Sequence, residues 1–188
     1  MSAKSITLPA CFQADLPERL AAAGHGPEAV AALLALDAEM FGWHRRVVKG
    51  ELPGRLIAEL GLELELSQFS ALTAVNRIVQ GIGRDRPALA TVGLLAEEMS
   101  IDPSRASRIA SGLIAAGWLR RAAAQDDGRK AVLEFTDMAR DVFARFREAK
   151  WAKMLSVFEG WSEDDIRDFA RLFARYSEAV ALVYHAEP

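Results

Sequence analysis

The chain has 188 residues, a formal charge of −3 and an apolar share of about half, which fits one unit with a buried core and excludes a disordered chain. No apolar run approaches a membrane span, and Met1 to Phe12 has no apolar stretch long enough for a signal peptide, so a cytoplasmic protein is expected. One cysteine and three scattered histidines exclude a disulfide framework and a zinc cluster.

Residues 1–27 hold Pro9, Pro17 and Pro27 with Gly24 and Gly26. They predict an irregular N-terminal arm with at most a short helix near Glu18 to Ala23, and residues 28–188 are expected to form one unit. A long helix follows from Glu28 to Lys49, with Val30, Leu33, Leu34, Met40, Phe41, His44, Val47 and Val48 largely on one side. Thr91 can cap a short helix on which Val92, Leu95, Ala96 and Met99 recur at helical spacing. Ser100 to Asp102 then separate it from a second helix that Asp102 caps, Pro103 opens and Gly117 stops.

On that second helix Ala106, Ile109, Ala110, Leu113 and Ile114 make one buried stripe. Facing away are Ser104, Arg105, Ser107, Arg108 and Ser111, hydroxyls and guanidiniums suited to base edges and phosphates. From Pro103 to Arg121 the chain has four arginines and no Asp or Glu, so the segment is +4 and the rest must carry −7. A charge inversion confined to one helix-sized segment points to an anionic partner, nucleic acid before others. Two short amphipathic helices joined by a tight turn form a helix-turn-helix, although an ordinary helical hairpin with a solvated arginine face has the same pattern.

Trp118 to Ala122 and Ala131 to Phe135 are expected to pair as strands about a turn at Asp127-Gly128. Arg120 and Arg121 stand at the entrance of this hairpin; Arg129 and Lys130 stand at its tip beside Asp126 and Asp127. Helix, turn, helix and hairpin make a winged helix, whose tip arginine suits a narrow minor groove. Thr136 can cap a further helix running towards Gly160. Ser162 opens a last one, with Glu163, Asp164 and Asp165 in its first turn where the helix dipole favours acids. Its Ile166, Phe169, Leu172, Phe173, Tyr176, Val180 and Val183 exceed what a small core can cover, which implies a partner surface.

The run Ser107-Arg108-Ile109, with Leu113, Gly117, Leu119 and Arg121, then Asp127-Gly128-Arg129 and Phe135-Thr136, resembles the multiple-antibiotic-resistance regulator (MarR) family. Leu66-Ser67-Gln68-Phe69 with Leu72 is similar to the helix that precedes the helix-turn-helix there. The resemblance covers roughly Val30 to Val183. It implies a mainly α, α+β winged helix over residues 62–136, with a two-stranded wing, flanked by long dimerisation helices at 28–50 and 137–185. It further implies a homodimeric regulator, most simply a repressor, on double-stranded DNA with a pseudo-palindromic operator. Arg108 would enter the major groove and Arg129 the minor groove, with Asp127 orienting it. Ser111-Gly112 stands where the family commonly has an Asp-Arg pair, and Gly128 where it has arginine.

The resemblance also implies an aromatic-acid effector, for which Trp43, His44, Phe69 and Arg77 are candidates by position, although aromatics at helical spacing equally pack a core. Some members of the family sense hydroperoxides through an N-terminal cysteine; Cys11 fits that role or is an incidental thiol. No nucleophile motif, metal-ligand spacing or phosphate-binding glycine loop is present, so neither catalysis nor a cofactor is expected. A winged-helix scaffold that binds an acidic protein in place of DNA is the alternative.

Overall fold

The computed structural model describes residues 8–9, 12–123 and 131–185. The chain divides into two compact units, one up to Glu134 and one from Phe135 on.

The first unit opens with α1 (Leu16–Ala22) and α2 (Pro27–Val48), each with a proline in its first turn where the missing N–H costs no bond. The described part of the N-terminal arm packs against α2 of its own chain. Gln13 Nε2 donates to the Leu34 carbonyl at 3.2 Å, and the rings of Phe12 and Phe41 lie 6.5 Å apart. Cys11 lies outside the described residues.

A helix that the sequence pattern did not announce follows, α3 (Glu51–Glu59). Pro53 and Gly54 hide it from propensity, but Pro53 falls in the first turn, where proline is tolerated. What holds α3 is burial: Leu56 is fully enclosed and Ile57 nearly so. Then comes α4 (Leu66–Gln80), started by a capping box in which Glu65 and Gln68 satisfy each other's backbone N–H groups. It ends at Gly81, whose φ of 69° suits glycine. A Cβ there would also stand 2.8 Å from the Pro87 nitrogen, so glycine lets the loop fold back on the helix end.

The helix-turn-helix is α5 (Val92–Glu98) and α6 (Pro103–Ala115). Thr91 accepts from the Leu94 N–H and Asp102 from the Arg105 N–H, so both expected caps form. The turn between them is a Schellman closure: the Ile101 N–H bonds the Ala96 carbonyl and the Ser100 N–H the Glu97 carbonyl, both at 3.0 Å. Ser100 takes the left-handed position, φ 52°, that glycine normally fills. Gly117, φ 76°, closes α6 the same way.

Strands β1 (Leu119–Ala123) and β2 (Ala131–Phe135) pair into a two-stranded sheet at the expected places. The Leu133 N–H also donates to the Ala90 carbonyl at 2.7 Å, which ties the segment before α5 to the wing. Residues 124–130, with the expected turn at Asp127-Gly128 and with Arg129 and Lys130, lie outside the described residues.

The core of this unit is one cluster. Leu72, Val75 and Ile78 of α4, Leu95 of α5, Leu113 of α6 and Leu119 of β1 are all under 2% exposed. The expected α6 stripe is there: Ala106, Ala110 and Leu113 are buried, with Ile109 and Ile114 half-buried beside them. Leu-sized anchors alternating with alanines let the helices approach closely, which a short three-helix core requires.

The second unit holds α7 (Asp137–Val157), capped by the Thr136 hydroxyl, and α8 (Glu163–His185). Ser162 and Asp165 cap α8 reciprocally, the Ser162 N–H donating to the carboxylate and the Asp165 N–H to the hydroxyl. Hydrogen bonding from Ser162 holds the Asp165 carboxyl below its ordinary pKa. Phe158, Trp161, Phe169 and Phe173 form a chain of rings with centroids 5.2 to 6.3 Å apart along this turn and the start of α8.

Candidate nucleic-acid interface

Helix α6 turns its buried stripe to α4, α5 and β1 and leaves the opposite side to solvent. Ser104, Arg105, Arg108 and Ser111 are exposed and Ser107 is half-buried, so the five side chains expected on one face share it. Among the described residues neither Arg105 nor Arg108 makes an ion pair within 4.0 Å. Their guanidiniums are therefore fully available to an external anion.

Ser104 is less available than its exposure implies, because its hydroxyl donates to the Asp102 carboxylate. That bond, with the Arg105 backbone N–H, holds the Asp102 carboxyl below its ordinary pKa, and Arg108 adds a smaller attraction. The cap stays ionised at neutral pH and fixes the first turn of the exposed face.

The strand arginines differ from each other. Arg120 donates from Nε (3.0 Å) and Nη2 (2.8 Å) to one Glu134 oxygen across the hairpin. Its charge is spent on joining the strands. Arg121 is exposed on the same strand.

A cleft of about 370 Å³ lies between the start of α4 and the exposed face of α6. Arg105, Arg108, Ile109 and Gly112 form one wall, and Glu65, Ser67 and Gln68 the other. Along α6 itself the exposed face carries no carboxylate, as expected from the sequence. Glu65, almost forty positions upstream, brings one to that face through the fold. Nothing in the sequence reading marked it; the signal that could have found it is the capping box of Glu65 and Gln68.

Behind the helix-turn-helix stands a second charged group that sequence reasoning also missed. Glu98, at the end of α5, accepts from Arg77 Nε at 2.7 Å and from Arg84 Nε at 3.1 Å. Arg84 also lies 3.6 Å from Glu97. The hydrogen bond from Arg77 holds the Glu98 carboxyl below its ordinary range; partial burial opposes this and Arg84 reinforces it. One carboxylate thus ties α4, the α4–α5 loop and α5 together.

Of the four effector candidates, Trp43 and His44 are exposed on α2, Phe69 is half-buried on α4, and Arg77 is committed to Glu98. A ligand carboxylate reaching Arg77 would compete with an ion pair already made. Among the described residues no group of three or more His, Cys, Asp or Glu is placed to hold a metal ion, and no helix is long and apolar enough to cross a membrane.

Comparison with known proteins places this geometry. The sequence profile described as MarR family matches residues 77–130, from Arg77 through both helices of the motif to the wing. A search of curated proteins by sequence gives no match. Among solved structures, a MarR family protein from Bacillus stearothermophilus superposes with a TM-score of 0.63 at 15% identity, covering 84% of this chain and 99% of that one. The YusO protein of Bacillus subtilis gives 0.57 at 17%, covering 82% and 99%. A MarR-like transcriptional regulator from Thermotoga maritima gives 0.57 at 19%, covering 76% and 95%. The fold is that of these structures, a winged helix with further helices before and after it along the chain.

Proposed function

We propose, from the MarR-family segment at residues 77–130 and the likeness in fold to a MarR family protein over 84% of the chain, that this protein is a transcriptional regulator that binds duplex DNA as a homodimer. The observation that carries the proposal is the exposed side of α6, where Arg105 and Arg108 stand unpaired among short hydroxyls. A helix of this width fits the major groove, and guanidiniums are the side chains best able to bind guanine edges or grip phosphates.

In this reading Arg108 and Arg105 meet the DNA directly, with Ser107 and Ser111 beside them. Arg121, Arg129 and Lys130 engage the backbone and minor groove, with Asp127 orienting Arg129. Arg120 acts indirectly, holding the hairpin through Glu134. Repression follows from occupancy of a promoter, and relief from any ligand that changes the spacing of the two α6 helices. An aromatic acid effector, with Trp43, His44 and Phe69 as its candidate contacts, belongs to this proposal; to gain Arg77 it would first have to displace Glu98. In a two-fold dimer the two reading helices address half-sites about 34 Å apart, which makes the operator pseudo-palindromic.

The test is a mobility-shift titration on random duplex at low and moderate salt, followed by selection of preferred sites from a random pool. Weak salt-sensitive binding to random duplex and enrichment of an inverted repeat are expected. Arg108→Ala is then expected to weaken binding to the selected site by about 1 to 3 kcal/mol and to relax preference at one base pair. No binding at low salt, or an Arg108→Ala variant that binds as the wild type does, rejects the proposal and favours a scaffold role.

The dimer has its own test. On α8, Phe169, Leu172, Phe173 and Tyr176 are 42 to 52% exposed, and Leu182 and Val183 more so. An amphipathic helix that leaves such a row to water normally has a partner. A Phe173→Glu substitution is expected to convert a dimer to monomer in sedimentation while the far-ultraviolet circular dichroism stays helical. A wild-type chain that sediments as a monomer at micromolar concentration removes the two-fold geometry.

A further inference from the structure

The cleft beside α6 holds charges of both signs. Arg105 and Arg108 on one wall face Glu65 on the other, yet none of them makes an ion pair within 4.0 Å among the described residues. Glu65 is kept on its own wall: its carboxylate caps the backbone of Gln68 and accepts from the Ser67 hydroxyl at 3.4 Å. The opposite wall is open at Gly112, where a Cβ would meet nothing within 4 Å. Whatever enters the cleft therefore meets two guanidiniums and one fixed, exposed carboxylate.

Those charges act differently on the two ways a DNA duplex can sit against α6. Non-specific complexes are held by phosphates, each carrying a full negative charge, and a fixed carboxylate repels them. In a sequence-matched complex the helix faces base edges, which are neutral and include amine donors that a carboxylate accepts. We infer that Glu65 is a specificity-determining residue, a built-in brake that weakens phosphate-only engagement of the α6 face while leaving base readout intact. This rests on the DNA-binding role proposed above and adds to it a residue outside the reading helix.

The experiment compares wild type, Glu65→Gln, Glu65→Asp and Glu63→Gln, all full-length, on random duplex and on a site selected by the wild type. Thermal unfolding of each variant checks the α4 cap. Glu65→Gln is expected to tighten random-duplex binding about threefold, the scale of one unit charge acting across a water-filled cleft. Its salt dependence should steepen by roughly the 0.9 in slope of one further phosphate contact. Binding to the selected site should change less, so the specificity ratio falls. Glu65→Asp keeps the charge and should keep the ratio. Glu63→Gln removes the same charge two residues away, outside the cleft, and should shift random-duplex binding less than Glu65→Gln. If the wild type discriminates between the two DNAs and Glu65→Gln leaves the ratio unchanged, the brake is overturned while the DNA-binding role stands. If the wild type binds no DNA at low salt, that role and the brake fall together.

Discussion

Replacing Leu113 with alanine is expected to lower the unfolding free energy by about 2 to 5 kcal/mol, the range for truncating a fully enclosed leucine. Leu113 has no exposed surface and sits on the last full turn of α6. Its side chain faces the common core of α4, α5 and β1, and its carbonyl receives the Trp118 N–H at 2.9 Å where the chain leaves the helix for the wing. Alanine forfeits the transfer energy of the lost carbons and leaves a void that neighbours held by backbone turns on both sides fill poorly. Urea unfolding measures the loss. A cost below about 1 kcal/mol would mean that the site collapses and that α6 is not anchored there. Ser111→Ala, two residues earlier on the opposite face, is the comparison: an exposed position of this kind should move stability by no more than about 0.5 kcal/mol.

The contrast between those two positions shows why so much of this fold can be read from the chain. On α6 the apolar residues recur at helical spacing, and the caps Asp102, Thr91 and Thr136 each sit one residue before their helices. Periodicity and capping are local, so a linear reading finds them. Ala131 to Phe135 is a strand for the same reason.

Helix α3 escaped because Pro53 and Gly54 contradict the local signal, and only the burial of Leu56 and Ile57 overrides it. Tertiary packing is not written in a nine-residue window. The charged groups escaped for a related reason: Glu65 and Arg105 are forty positions apart, Arg77 and Glu98 twenty-one, and no spacing rule connects them. Arg77 shows the consequence. By position it offers a cation to an effector; in the fold that cation is already held by Glu98. Arg120 likewise stands among the DNA-facing arginines in the sequence and is bound to Glu134 in the fold. Sequence locates a charge, and the fold decides whether it is free.

Glu98 carries the second large effect. Glu98→Gln is expected to cost about 1 to 2 kcal/mol at neutral pH, towards the lower part of the range for breaking a charge-assisted pair. Glu98 is only 16% exposed, and its loss leaves Arg77 and Arg84 close together without their shared counter-charge. Arg77 is 40% exposed, however, so water screens much of that penalty and keeps the figure low. The pH dependence has a fixed sign. Because the folded carboxyl titrates below its ordinary value of 4.5, the folded state binds this proton less readily than the unfolded chain does. The stabilisation is complete above about that pH and disappears as pH falls through the lowered folded value. Wild type and Glu98→Gln should therefore differ most at pH 6 to 8, and their stabilities should converge in acid as the wild-type carboxyl takes up its proton. Denaturant midpoints measured across that range test this. A difference that stays constant into acid would show that Glu98 acts through shape and packing, and that the junction of α4, its loop and α5 is held without the charge.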